Sequence, residues 1–131
     1  RHYVGSTILK YGFNRQRLKY NFDFATSHST GFFIKKKSMN LIGNYNTTFK
    51  CSADYDLYYR ALIKFNLKGD STKRNELIGI FKSGGFSSKI GFFTQLFEET
   101  KIRLHNKQNI FFVGLIFFNA IIKHFLKTFI K

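Results

Sequence analysis

The chemistry-bearing residue types that crowd together in this chain are Asp54, Tyr55, Asp56 and Arg60, directly after Ser52. A carboxylate at the start of a helix is held in one orientation and directed toward the neighbouring loops, which suits a general base that must meet an incoming proton. Asp54 has that place. A first-turn acid also stabilises its own helix by about 0.3–1 kcal/mol, and this second role needs no substrate. Asp56 stands four residues ahead of Arg60, the favourable order for an ion pair, so a structural role explains both. The sole Asp-x-Asp is Asp54-Tyr55-Asp56, and His2, His105 and His124 are too scattered to imply a metal site. Cys51 is the single cysteine, so no internal disulfide forms and a reducing compartment is the default.

The elements that must position these residues read as a mixture of strands and helices. Strands are expected around Tyr3 to Leu9 and Leu18 to Phe24, over Thr30 to Lys35, where Gly31-Phe32-Phe33-Ile34 runs into Lys35-Lys36-Lys37, and over Glu76 to Lys82. Ser38 can cap a short helix reaching Leu41 or Ile42 and closed by Gly43. Ser52 starts the clearest helix, with Ala53, Leu57, Ala61, Leu62 and Phe65 on one stripe facing the core. After the turn-rich Ser83 to Ser88 a further helix puts Ile90, Phe93, Phe97 and Leu104 inward and Glu98, Lys101 and Lys107 toward solvent.

Taken in order, His28-Ser29-Thr30-Gly31-Phe32-Phe33-Ile34-Lys35-Lys36, Leu41-Ile42-Gly43-Asn44-Tyr45, Ser52-Ala53-Asp54-Tyr55-Asp56-Leu57 with Arg60, and Gly84-Gly85-Phe86-Ser87 form a specific succession. It resembles the family 2 glycosyltransferases of the GT-A fold, which are often cell-envelope sugar transferases. The resemblance covers about sixty residues. It implies an α/β chain, the C-terminal part of a GT-A fold followed by C-terminal helices, with residues 1–104 as the acceptor-side portion and 105–131 as a basic, apolar C-terminal helix. It implies Asp54 as the catalytic base of an inverting transfer, drawing the proton from an acceptor hydroxyl as that oxygen attacks the anomeric carbon. His28, Tyr55, Asp56, Arg60, Gly84, Gly85 and Ser87 are the candidate substrate-binding positions. Tyr55 either stacks on a sugar face or packs inside, His28 either lines the cleft or is a hydrogen-bonded loop residue, and Gly84-Gly85 either lets backbone approach a ligand or makes a tight turn. The complete enzyme would take a nucleotide-sugar donor, a saccharide or glycolipid acceptor and a divalent metal, Mg or Mn, whose ligands are not in this chain. No Asp-x-Asp stands upstream of His28. The chain, which opens on Arg1, therefore reads as a fragment that is inactive alone.

The charge points to a second class of function. Twenty-two Lys and Arg against 7 Asp and Glu give a formal +15, while 18 Phe and 7 Tyr exclude wholesale disorder. No helix-turn-helix spacing, zinc pattern or RNA-recognition signature accompanies the charge, which argues against nucleic acid. From Ile110 to Ile130 the chain is at its most apolar, although Asn119 and then Lys123, His124 and Lys127 interrupt it. The uninterrupted part is shorter than a spanning helix needs. Ile121, Ile122, Phe125, Leu126 and Phe129 make one stripe and Lys123, Lys127 and Lys131 another, the pattern of a basic amphipathic helix that lies on an anionic membrane or packs on its own domain. Two functions follow: sugar transfer in envelope polysaccharide or glycolipid synthesis at the cytoplasmic membrane face, or a small basic protein that binds nucleic acid or anionic membrane without catalysis.

Overall fold

The computed structural model describes residues 13–20, 29–73, 76 and 89–129. Four helices carry the architecture: α1 (Lys36–Ile42), α2 (Ala53–Tyr59), α3 (Phe92–His105) and α4 (Ile110–Phe129). Shorter 3₁₀ turns cover Arg15–Lys19 and Ser29–Gly31. A wider π turn, Arg60–Lys64, extends α2 and ends where Phe65 donates to the Arg60 carbonyl at 2.8 Å.

The α/β expectation, the C-terminal part of a GT-A fold, is corrected here, because every regular element among the described residues is helical and none is a strand. The segment expected as a strand over Thr30 to Lys35 shows why. Its burial does alternate: Phe32 and Ile34 pack against the core, while Phe33 is 78% exposed and Lys35 is exposed as well. That is the period of extended chain, but the segment has no ladder partner among the described residues, so alternation alone does not make it a strand. Leu18 to Tyr20, the described start of another expected strand, belong to a helical turn with Leu18 fully buried. The strands expected over 3–9, 21–24 and 77–82 lie outside the described residues.

The core gathers around α2. Tyr55, Asp56, Leu57, Tyr58 and Tyr59 are all buried, so the helix is enclosed on every side and not along one stripe. Leu18, Ile42, Ala61, Leu62 and Ile102 complete the cluster. Of the stripe expected from the sequence, Leu57, Ala61 and Leu62 face inward, while Phe65 is 37% exposed. Tyr58 packs against Phe32 with ring centroids 4.1 Å apart, and Tyr55 meets Tyr59 edge-on at 5.9 Å. Each aromatic ring in such an arrangement buries about 150–250 Å².

The short helix α1 ends at Gly43, whose φ of 83° and ψ of 171° place it in backbone space that suits glycine. α3 and α4 form an antiparallel hairpin through the turn 106–109. Phe97 meets Phe117 and Phe92 stacks on His124, so partners on α3 fall in number as those on α4 rise, while Tyr20, outside the hairpin, meets Phe112. Asn109 caps α4 by accepting from the N–H groups of Phe111 and Phe112 at 3.0 and 3.1 Å. α3 joins the core around α2 through Ile102, not through the expected Phe93, Phe97 and Leu104, which are 46, 53 and 43% exposed.

Candidate functional site

The four clustered residues of the Asp54 region sit on one helix and divide between two tasks. Asp54 and Asp56 are two residues apart, which sets them about 200° apart around the helix axis. Asp56 points inward at 1% exposure. Its Oδ2 accepts from Arg60 Nε at 2.9 Å. The same guanidinium reaches across to the end of α1, donating to the carbonyls of Ile42 and, at 2.8 Å, Asn44. Arg60 thus satisfies carbonyls that a helix end leaves unpaired, and Asp56 neutralises the charge that does so. This clamp joins Leu41-Ile42-Gly43-Asn44 to Ser52–Arg60, two pieces of the succession singled out in the sequence.

Asp54 lies half-buried in the first turn of α2. Its Oδ1 accepts from the Tyr55 N–H at 2.8 Å, which fixes the carboxylate's orientation. One turn on, burial pushes the Tyr58 phenol well above its ordinary pKa, and the nearby Asp54 charge adds to that rise. Tyr55 itself is 1% exposed, with its hydroxyl donating to the Leu18 carbonyl at 2.8 Å. Of the two roles open to Tyr55, the structure places it in packing. His28, Gly84, Gly85 and Ser87 lie outside the described residues.

The entry to α2 is built differently from the sequence expectation. Ser52 makes no side-chain cap. Glu98, expected to face solvent from α3, instead turns its carboxylate onto three successive amides that lead into α2. Oε1 accepts from Lys50 N at 2.8 Å, and Oε2 from Cys51 N at 2.9 Å and Ser52 N at 3.0 Å. The Cys51 thiol also donates to Oε2 at 3.0 Å. Desolvation acts to raise the Glu98 pKa, but the hydrogen bonds from Cys51, Lys50 and Ser52 outweigh it and hold the carboxyl below its ordinary value. Desolvation and the bond to Glu98 push the thiol up to about 11, which makes its thiolate scarce at neutral pH. Glu98 carries no local sequence signal, because these amide partners lie 46 to 48 residues away in the chain, whereas Arg103, 2% exposed beneath residues 18–20, has a local one in Glu99, four residues back at 3.5 Å.

No group of three or more His, Cys, Asp or Glu that could hold a metal ion occurs among the described residues. The Asp54-Tyr55-Asp56 pair does not fit one either, since Asp56 is committed to Arg60 and points away from Asp54. The other feature with functional content is α4. Its 20 residues run unbroken through Asn119, its most apolar stretch has mean hydropathy 1.7, and 6% of that stretch is buried. By length and composition it is long and apolar enough to cross a membrane, which corrects the expectation that its apolar part is too short, because the helix continues through Asn119; it is apolar enough to be membrane-associated. No family model, curated protein or solved structure matches the chain.

Proposed function

We propose that the chain carries the acceptor side of an inverting sugar transfer, working peripherally at the cytoplasmic face of an anionic membrane. In this reading a nucleotide sugar is the donor and a saccharide or glycolipid hydroxyl the acceptor, with envelope polysaccharide or glycolipid as product. Asp54 takes the proton from that hydroxyl while its oxygen attacks the anomeric carbon, and the nucleoside diphosphate leaves from the opposite face. The observation that carries the reading is the division between the two acids. Asp56 is buried and clamped by Arg60, whereas Asp54, in the first turn of α2, is half-buried and oriented by the Tyr55 N–H. The donor site and any divalent metal belong to residues other than those described, and no step is assigned to them.

The test is Asp54→Asn in the complete enzyme. Turnover should fall by about a hundredfold or more with donor affinity nearly unchanged, the signature of a group that acts in the transition state. Turnover retained in the variant would sink the assignment.

A second reading, an anionic-membrane-binding protein without catalysis, is favoured by the bare face of α4. It predicts vesicle binding together with the absence of sugar transfer by the complete protein from any nucleotide sugar.

A further inference from the structure

The exposed residues of α4 follow a 4-3-4-3-4 spacing. Phe111, Leu115, Phe118, Ile122, Phe125 and Phe129 are 82, 70, 65, 57, 46 and 82% exposed, and they form one seam about 27 Å long at 1.5 Å per residue. The opposite face of the same helix is occupied. Val113 is buried there, Phe117 meets Phe97 with centroids 5.8 Å apart, and His124 stacks on Phe92 at 3.9 Å. α4 is therefore laid along the protein body over most of its length. A helix crossing a bilayer must be clear of polar protein over about 30 Å of hydrocarbon, and this one is held against a helix whose Glu98 and Arg103 bind backbone of the soluble core.

Charge selects what covers the seam. Between residues 100 and 131 there are six Lys or Arg and no acid, and Lys123 and Lys127 are exposed on the flank of α4 between its two apolar faces. A second copy would bring two such acid-free segments, each on a body of formal charge +15, into contact. An anionic lipid surface meets the same seam with attraction, and lysines on the flank reach headgroups while the aromatic face enters the acyl boundary.

We infer that α4 lies in the plane of an anionic membrane, inserting the Phe111 to Phe129 seam with the α1–α3 body on the water side. This rests on the membrane-peripheral part of the reading above and is independent of Asp54. The orientation fixes the Asp54 helix on the aqueous side, where a soluble donor and a membrane-borne acceptor can meet.

The chain contains no Trp, so single substitutions give clean reporters. Phe111→Trp, Phe118→Trp and Phe125→Trp in the otherwise unchanged chain are mixed with vesicles of phosphatidylcholine containing phosphatidylglycerol, and quenched by lipids brominated at graded depths. All three should shift to the blue and report one shallow depth, while Tyr45→Trp, on the α1–α2 loop, should not shift. Lys123→Gln with Lys127→Gln should weaken binding about thirtyfold with the fold intact by circular dichroism, and pure phosphatidylcholine should bind weakly. A deep position for residue 118 with shallow positions for 111 and 125 would overturn the proposal in favour of a crossing helix. A dimer in sedimentation equilibrium, with all three reporters already blue-shifted without lipid and no vesicle binding, would overturn it in favour of a second copy. Asp54→Asn should bind vesicles like the parent, so failure of the transfer reading and failure of this one are separate results.

Discussion

Glu98 and Cys51 are joined twice at a single oxygen, since Oε2 accepts both the Cys51 thiol at 3.0 Å and the Cys51 N–H at 2.9 Å. Because the amides of Lys50 and Ser52 converge on the same carboxylate, α3 rather than Ser52 sets the direction in which α2 begins. The placement of Asp54 therefore depends on a residue 44 positions further along the chain.

Removing that carboxylate should cost about 2–3 kcal/mol in Glu98→Ala, because three amides lose a charged acceptor. The dependence on pH has a definite sign. The folded-state pKa of Glu98 is lowered from 4.5, so its contribution is fully present above that value and is lost as pH falls through the depressed one. Urea titrations from pH 6 down to about 3 should show stability declining below about pH 4.5, and Glu98→Gln should remove that part of the decline. An identical slope in parent and variant would sink the claim.

Cys51 offers a chemical readout of the same contact. With its pKa pushed from 9.0 to about 11, the thiolate at pH 8 is about a hundredfold scarcer than in a free thiol. Iodoacetamide should label native Cys51 correspondingly slowly, and Glu98→Gln should raise the rate severalfold. Equal rates in the native and urea-unfolded protein would show that the thiol is not held.

Legibility in the sequence followed the distance between partners. Gly43 closing a short helix and Asp56 pairing with Arg60 depend on residues within a few positions of one another, and both are found in the structure, whereas neither expected cap forms: α1 begins after Lys35, not at Ser38, and Ser52 makes no side-chain cap. What the sequence did not show is that the Asp56–Arg60 pair is buried, because the Ile42 and Asn44 carbonyls that bury it belong to another element. Glu98 obeys a helical period that would send it to solvent, and the backbone N–H groups of Lys50, Cys51 and Ser52, distant in the chain, override it. The strand over Thr30 to Lys35 failed for a related reason: alternation marks a half-buried extended segment, whereas a strand also requires a partner.

Burial changes the expected effect of the clamp. An exposed helical pair would contribute about 0.5 kcal/mol or less, but Asp56 and Arg60 have side-chain exposures of 2 and 13%. Asp56→Asn leaves a buried guanidinium without its counter-charge and should destabilise the protein by about 2–4 kcal/mol. Arg60→Lys cannot span Asp56 and the Ile42 and Asn44 carbonyls with a planar fork, and should cost nearly as much. Urea unfolding of both variants decides the matter, and a change below about 0.5 kcal/mol would return the pair to the surface category.

Among the described residues, side chains from α2, α3 and the turn that follows it donate to the carbonyls of residues 18–20. Tyr55 Oη donates to the Leu18 carbonyl at 2.8 Å, Gln108 Nε2 to Lys19 at 3.2 Å, and Arg103 Nη2 to Tyr20 at 3.1 Å, with the guanidinium 5.1 Å from the centroid of the Tyr55 ring. Unpaired buried carbonyls are costly, so this segment is docked by its acceptors as much as by Leu18. Tyr55→Phe should cost about 1–2 kcal/mol and Arg103→Met about 3 kcal/mol. Both changes loosen the same segment, residues 18–20, so together they should cost less than the sum of the two, by about 1 kcal/mol. Amide exchange at residues 15–20 should accelerate in each variant before the α2 amides do, as a locally released segment requires. Strict additivity, or exchange that rises uniformly along the chain, would mean that Tyr55 and Arg103 support the core independently and that the segment is not their shared load.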